Sequence, residues 1–211
     1  MRFPVLLAAA LLAGGCTMIR QPSSMVPQPT SNWRAVVTAS DRARLRDWRP
    51  AFVGALAAAR ASGHGAEIAA EGALLEPDSA LAGATMPDGD YRCRILKLGD
   101  KSQGMPAFIS YPAFLCRVDT RPGPSGERRH FTKLTGSQRA MGVIFTDSAM
   151  RDILLGTLVL GDEQRALQYG VDETRDVAGI IERIGPARWR MVLPEPHFES
   201  QLDVMELVPA Q

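Results

Sequence analysis

From Pro87 to the C-terminus the chain is one short apolar or alternating run after another, broken about every eight to twelve residues by turn formers, with no helix-period stretch between them. Without crossover helices such runs pair with their sequence neighbours as antiparallel strands. They are Asp90 to Leu98, Ala107 to Asp119, His130 to Thr135, Gln138 to Thr146, Asp152 to Leu160, Gln164 to Tyr169, Asp176 to Arg183, Arg188 to Leu193 and Leu202 to Val208. Gly136 and Ser137 sit between the third and fourth, where glycine supplies the positive φ of a type II′ hairpin turn. Asp152 to Leu160 (DILLGTLVL) is apolar enough for a buried helix, but its brevity, Gly156, Thr157 and Val159 assign it to a strand.

An open sheet of that many strands leaves two unpaired edges as templates for aggregation, and closure removes them. The expected class is therefore α+β, mainly β. N-terminal helices precede an eight- or nine-stranded antiparallel meander that closes into a lipocalin-like barrel or a curved sheet. A barrel set in a membrane needs an unbroken outward apolar band, which Arg92, Lys133, Asp152 and Arg183 interrupt.

The helical part spans residues 33–86 and shares one domain with the barrel part, residues 87–211. Ser40 or Asp41 is placed to cap the first helix, and Leu45, Trp48, Phe52, Leu56 and Ala59 recur at steps of three and four along one face. Pro50 divides the pattern into a short helix to Asp47 and a longer one from Pro50 to Ala61, stopped at Gly63. A weaker helical stretch covers Ala66 to Leu75.

Residues 1–15 read as a bacterial signal peptide: Arg2 and the amino terminus are positive, Val5 to Ala13 apolar, Gly14 and Gly15 small. Ala13 and Gly15 also fit ordinary secretory cleavage, but a cysteine directly after the cut favours lipid attachment at Cys16. Thr17 follows it, not an inner-membrane-retaining aspartate, so the expected address is the outer membrane facing the periplasm, with a soluble periplasmic or secreted form as the alternative. Residues 16–32, rich in Pro, Ser and Gln, read as a tether. Assigning Cys16 to lipid leaves Cys93 and Cys116, of three cysteines in all, as an even pair to be oxidised outside the cytoplasm. The net charge of +1 offers no field for nucleic acid.

Gly89 to Arg94 (GDYRCR), Tyr111 to Val118 (YPAFLCRV), Lys133 to Arg139 (KLTGSQR), Asp176 to Val192 (DVAGIIERIGPARWRMV) and Glu199 to Pro209 (ESQLDVMELVP) together resemble a bacterial family called domain of unknown function 4893, of sphingomonad-type envelope proteins. The resemblance covers most of the chain after Trp33 and implies a single envelope domain. It brings no catalytic residue with it.

Candidate sites are few. Ser137, His130 and Asp147 contain the residue types of a hydrolytic triad, but a Gly-Ser hairpin turn explains Ser137 equally well, and no catalytic residue is assigned. His64, His130 and His197 lack the spacing that brings two imidazoles to one metal, so no metal or cofactor is expected. Around Trp189, Arg188 and Arg190 point opposite to the tryptophan; with Trp189 inside, the arginines become solvated exterior charges. Inward arginines would instead form a cationic pocket. The same alternation sets Tyr91, Cys93 and Ile95 against Arg92, Arg94 and Leu96. Tyr91, Phe114 and Trp189 are the expected ligand-pocket residues. The functional expectation is a non-enzymatic envelope lipoprotein, held at the membrane by its lipid and binding a small apolar or amphipathic molecule in the barrel. The alternatives are a periplasmic interaction or inhibitor module acting through Arg121 to Arg129 (RPGPSGERR), and an envelope hydrolase.

Overall fold

The computed structural model describes residues 30–101, 104–123 and 126–210, so the signal segment, Cys16 and most of the tether lie outside the described residues. Thr38, not Ser40 or Asp41, caps helix α1 (Ala39–Arg46), its side chain accepting the Asp41 N–H. Asp41 is buried instead, bound by Arg44 and by Tyr169 Oη, which donates at 2.6 Å. Helix α2 (Trp48–Ala61) holds Pro50 in its first turn, where a missing N–H costs no hydrogen bond, and buries Trp48, Phe52, Ala55, Leu56 and Ala59 as one stripe. Helix α3 (Gly65–Ala70) and a 3-10 turn, Gly72–Leu75, divide the weaker helical stretch.

The strands are β1 (Gly89–Asp100), β2 (Phe108–Ser110), β3 (Phe114–Gly123), β4 (Gly126–Lys133), β5 (Gln138–Thr146), β6 (Asp152–Leu160), β7 (Asp176–Gly185), β8 (Arg188–Pro194) and β9 (Ser200–Pro209). Every pairing is antiparallel, and β9 pairs back onto β1. The result is a closed eight-stranded barrel with β2 as one extra strand on the edge of β1.

Three runs differ from their expected form. Ala107 to Asp119 is broken into β2 and β3: Leu96 pairs with Ser110 and Cys93 with Phe114, so three steps along β1 face four along its partner. The bulge is pinned where the Tyr111 N–H donates to the Ile95 carbonyl at 2.9 Å. Gln164 to Tyr169 is not a strand but part of the long β6–β7 connection, because Tyr169 is committed to Asp41 and Thr38 of the helical layer. Arg121 to Arg129 is no open loop: β3 and β4 run almost to the tip, with Arg121 opposite Arg128. At its other end β4 stops at Lys133, and Gly136 takes φ +94° in a connection longer than a two-residue turn.

Alternation along the strands gives the barrel two cores. Tyr91, Cys93, Cys116, Phe131, Trp189, Met191, Met205 and Leu207 cluster on the inner face, as the β1 alternation predicts. Cys93 and Cys116 form the expected disulfide, diagonal across β1 and β3 with Cα atoms 5.9 Å apart and closing a separation of 23 residues. Leu96, Leu98, Ile180, Val192, Leu202 and Val204 face outward and are covered by the helices, chiefly Phe52, Leu56 and Leu74. Gly142 and Gly156 face each other across β5 and β6, and a Cβ on either would strike the other strand's backbone carbonyls. Phe131, opposite Gly142 on β4, is fully buried on the inner face beside this bare stretch of backbone.

The helical layer overturns the solvated-arginine expectation. Arg190 does point away from Trp189, yet it is fully buried beneath α2 and the 3-10 turn. Its guanidinium pairs with Glu182 at 2.6 Å and donates to the carbonyls of Ala73, Leu74, Glu76 and Pro77. Arg188 is half-buried against Glu206 at 2.6 Å. Lys133 and Asp152 also depart from their expected outward place: both are buried, on the inner face with Phe131 and Leu154.

Candidate functional site

The barrel is filled at one end. Tyr91 and Trp189 meet edge to face, ring centroids 6.2 Å apart, and Tyr91 Oη donates to the Pro87 carbonyl at 2.6 Å. The segment before β1 straps this end, with the Gly83 N–H on the Ala149 carbonyl at 2.8 Å and Met86 buried. Arg129 pairs with Asp152 at 2.6 Å, and donates to the Met86 carbonyl. Tyr91 and Trp189 are therefore plug residues rather than pocket residues: their rings are consumed by packing.

At the other end the filling stops. A cavity of about 360 Å³ is lined by apolar Ile95, Phe114, Ala140, Leu158, Val177, Leu193 and Met205, and by polar Lys97, Lys133, Ser137, Gln138, Asp176, Glu199 and Asp203. Phe114 alone of the three expected pocket residues lies here. Along β1, Cys93 stands between Tyr91 of the plug and Ile95 of the cavity, so the disulfide marks the boundary between the two halves.

Two lysines enter this cavity in opposite electrostatic circumstances. Lys97 Nζ lies 2.9 Å from Asp203 and 3.2 Å from Glu199, and Asp203 also accepts from Ser200 Oγ at 2.5 Å. Burial pulls the Lys97 pKa down, but the two carboxylates outweigh it and hold it above the ordinary value. Lys133, equally buried, has no carboxylate within 4.0 Å among the described residues. Its Nζ donates to the Gln138 carbonyl at 2.8 Å and lies 3.8 Å from the centre of the Phe114 ring. Burial, then the like charges of Lys97 and Arg139, push its pKa down to about 8.

Local sequence explains how that ammonium is held. A Cβ on Gly136 would stand 2.8 Å from Lys133 Nζ and 3.0 Å from the Phe114 ring, so only glycine lets the turn fold over the lysine. Gln138 turns its side-chain amide to Glu199, 3.2 Å away, tying the β4–β5 turn to the β8–β9 connection.

The hydrolytic combination is not assembled. Ser137 lines the cavity, whereas His130 pairs with Val143 beside the outer groove of residues 166–169, and Asp147 binds Trp33 Nε1 at 2.8 Å and Arg34 at 2.7 Å. His64 stacks on Phe108 at 5.5 Å, and His197 lines the cavity. Among the described residues no three His, Cys, Asp or Glu side chains converge as a metal site. By sequence Lys133 counts among the outward charges, and Lys97 draws no assignment. Lys133 carried a usable signal, since it shares a strand face with Phe131.

A family model described as a domain of unknown function (DUF4893) matches residues 33–207. No curated protein and no solved structure matches the chain. The matched span takes in the helices, the disulfide, the plug and the cavity with both lysines, and on that match the chain belongs to the DUF4893 family.

Proposed function

We propose that this protein is a non-enzymatic envelope lipoprotein, anchored through Cys16, that holds one small amphipathic molecule in the open end of its barrel. The observation that carries the reading is the cavity: about 360 Å³ of space inside an otherwise packed barrel, with a mainly apolar lining and a few buried polar groups, falls within the size and character of small-molecule sites. The disulfide fits an oxidising compartment, and the signal segment with its following cysteine supports the address. Support for the interaction module is weaker, because Arg121 to Arg129 is mostly strand-paired. A hydrolase draws least support, since Ser137, His130 and Asp147 lie in separate surroundings.

Native mass spectrometry of the protein purified from its own envelope tests the class. A mass excess matching a single small molecule is expected. A stoichiometric protein partner with an empty barrel would overturn the carrier reading. The anchor is tested separately: Cys16→Ser should abolish metabolic labelling with palmitate, and persistent label would place the lipid elsewhere.

A further inference from the structure

We propose that Lys133 is the anchor for a single negative charge, and that the ligand of this cavity is an amphiphile with one carboxylate on an apolar chain. The inference rests on the carrier reading and names the chemistry it would take. A buried ammonium without a counter-ion is a costly arrangement, and among the described residues the cation of Lys133 meets one carbonyl and one aromatic face. An ammonium offers three donors, so at least one remains for an incoming oxygen. Lys97 is not available for that role, being bound to both Asp203 and Glu199.

The remaining charges in the cavity decide the ligand's valence. Glu199, Asp203 and Asp176 face the same space as Lys97, Arg44 and Lys133, but Lys97 is bound to Glu199 and Asp203 and Arg44 to Asp41. A doubly charged phosphate head would therefore meet three acidic groups and, among the described residues, a single lining cation with no carboxylate within 4.0 Å. A monocarboxylate matches the one lining cation that, among the described residues, lacks a carboxylate partner. Its chain would lie against Ile95, Leu158, Val177, Leu193 and Met205.

The groups around Lys133 also fix the pH response. Lys97 and Arg139 oppose its charge, Glu199 and Asp203 are engaged with Lys97, and Asp176, His197 and Arg44 line the same cavity. Burial, then Arg44 and Lys101, hold His197 below its ordinary pKa, burial raises Asp176 and Asp203 above theirs, Lys97 is held above its own, and Lys133, pushed down to about 8, carries the response on the alkaline side. Carboxylate affinity should be flat from about pH 6 to 7 and fall above pH 8, approaching tenfold per pH unit as the ammonium is lost.

Calorimetric titration of the purified protein with decanoate, decanol and decyl phosphate tests this. Decanoate should bind about tenfold to a hundredfold more tightly than decanol. Lys133→Met should erase that difference while retaining decanol binding, and Lys133→Arg should restore it. Equal binding of decanoate and decanol, or a preference that survives in Lys133→Met, would sink the lysine assignment and leave the carrier reading standing. Tighter binding of decyl phosphate than of decanoate would overturn the monocarboxylate head. Failure of all three compounds to bind would instead remove the carrier reading on which the assignment rests.

Discussion

The two ends of one barrel are built from the same strands and solve the problem of an interior in opposite ways. At the plugged end large side chains interlock and the charges come as a pair, Arg129 with Asp152. At the open end small and medium side chains leave about 360 Å³, and one of two buried lysines has no carboxylate within 4.0 Å among the described residues. Packing holds the plugged end together, whereas the open end tolerates an electrostatic imbalance, which on the proposed reading a ligand relieves.

Substitutions at the two ends test that division. Lys97→Met strands Asp203 in a buried site and should cost about 3–5 kcal/mol in denaturant unfolding near neutral pH. The loss should shrink on acidification as the orphaned carboxyl takes up a proton. At the plug, Phe131→Ala should cost about 3–5 kcal/mol through the hole it leaves, without weakening binding at the far end. Loss under about 1 kcal/mol would mean that the plug is not the stabilising half.

Opening the disulfide comes next. Cys93→Ser with Cys116→Ser should lower stability by about 3 kcal/mol, and non-reducing peptide mapping of the parent should recover the two cysteines linked. Lys133→Met should do the reverse of Lys97→Met and stabilise the unliganded protein by roughly 1–3 kcal/mol below pH 8. In the parent, the folded state sheds the Lys133 proton at about 8, before the unfolded chain does near 10.5, so stability should rise over that interval relative to the variant. A flat difference across that pH range would contradict the burial of an uncompensated ammonium. Smallest in stability is Ala140→Met: its added atoms enter open space, so unfolding should shift by less than about 1 kcal/mol while decanoate affinity drops.

Much of the scaffold was legible because each strand carries its own alternation. The disulfide pair, the inward set Tyr91, Cys93 and Ile95, and Pro50 in the first turn of α2 followed from local rules. What failed was everything that depends on a second layer. Alternation around Arg190 identified two faces correctly but not that helices cover the outer one, because Glu182 and the carbonyls of residues 73–77 reach it only in the folded chain. Tyr169 looked like a strand residue for the same reason: its partner Asp41 is 128 positions away. The cavity was hidden more deeply. Tyr91 and Trp189 have the character of pocket residues, and whether a barrel interior is full depends on volumes contributed by many strands at one level. Gly136 and Ala140 are modest in the sequence, and both line that volume.

The buried guanidinium of Arg190 fixes how this protein can come apart. It holds the chain leaving the 3-10 turn by four carbonyls while its own strand belongs to the barrel wall. Peeling the helices away would expose Phe52 and Leu56 and strip Arg190 of its four carbonyl acceptors while its pair with Glu182 stays in the barrel wall, so a state with the barrel formed and the helices detached should be costly. Hydrogen exchange should consequently report a single opening event shared by α2 and β8, and a chain starting at Pro87 should not fold alone.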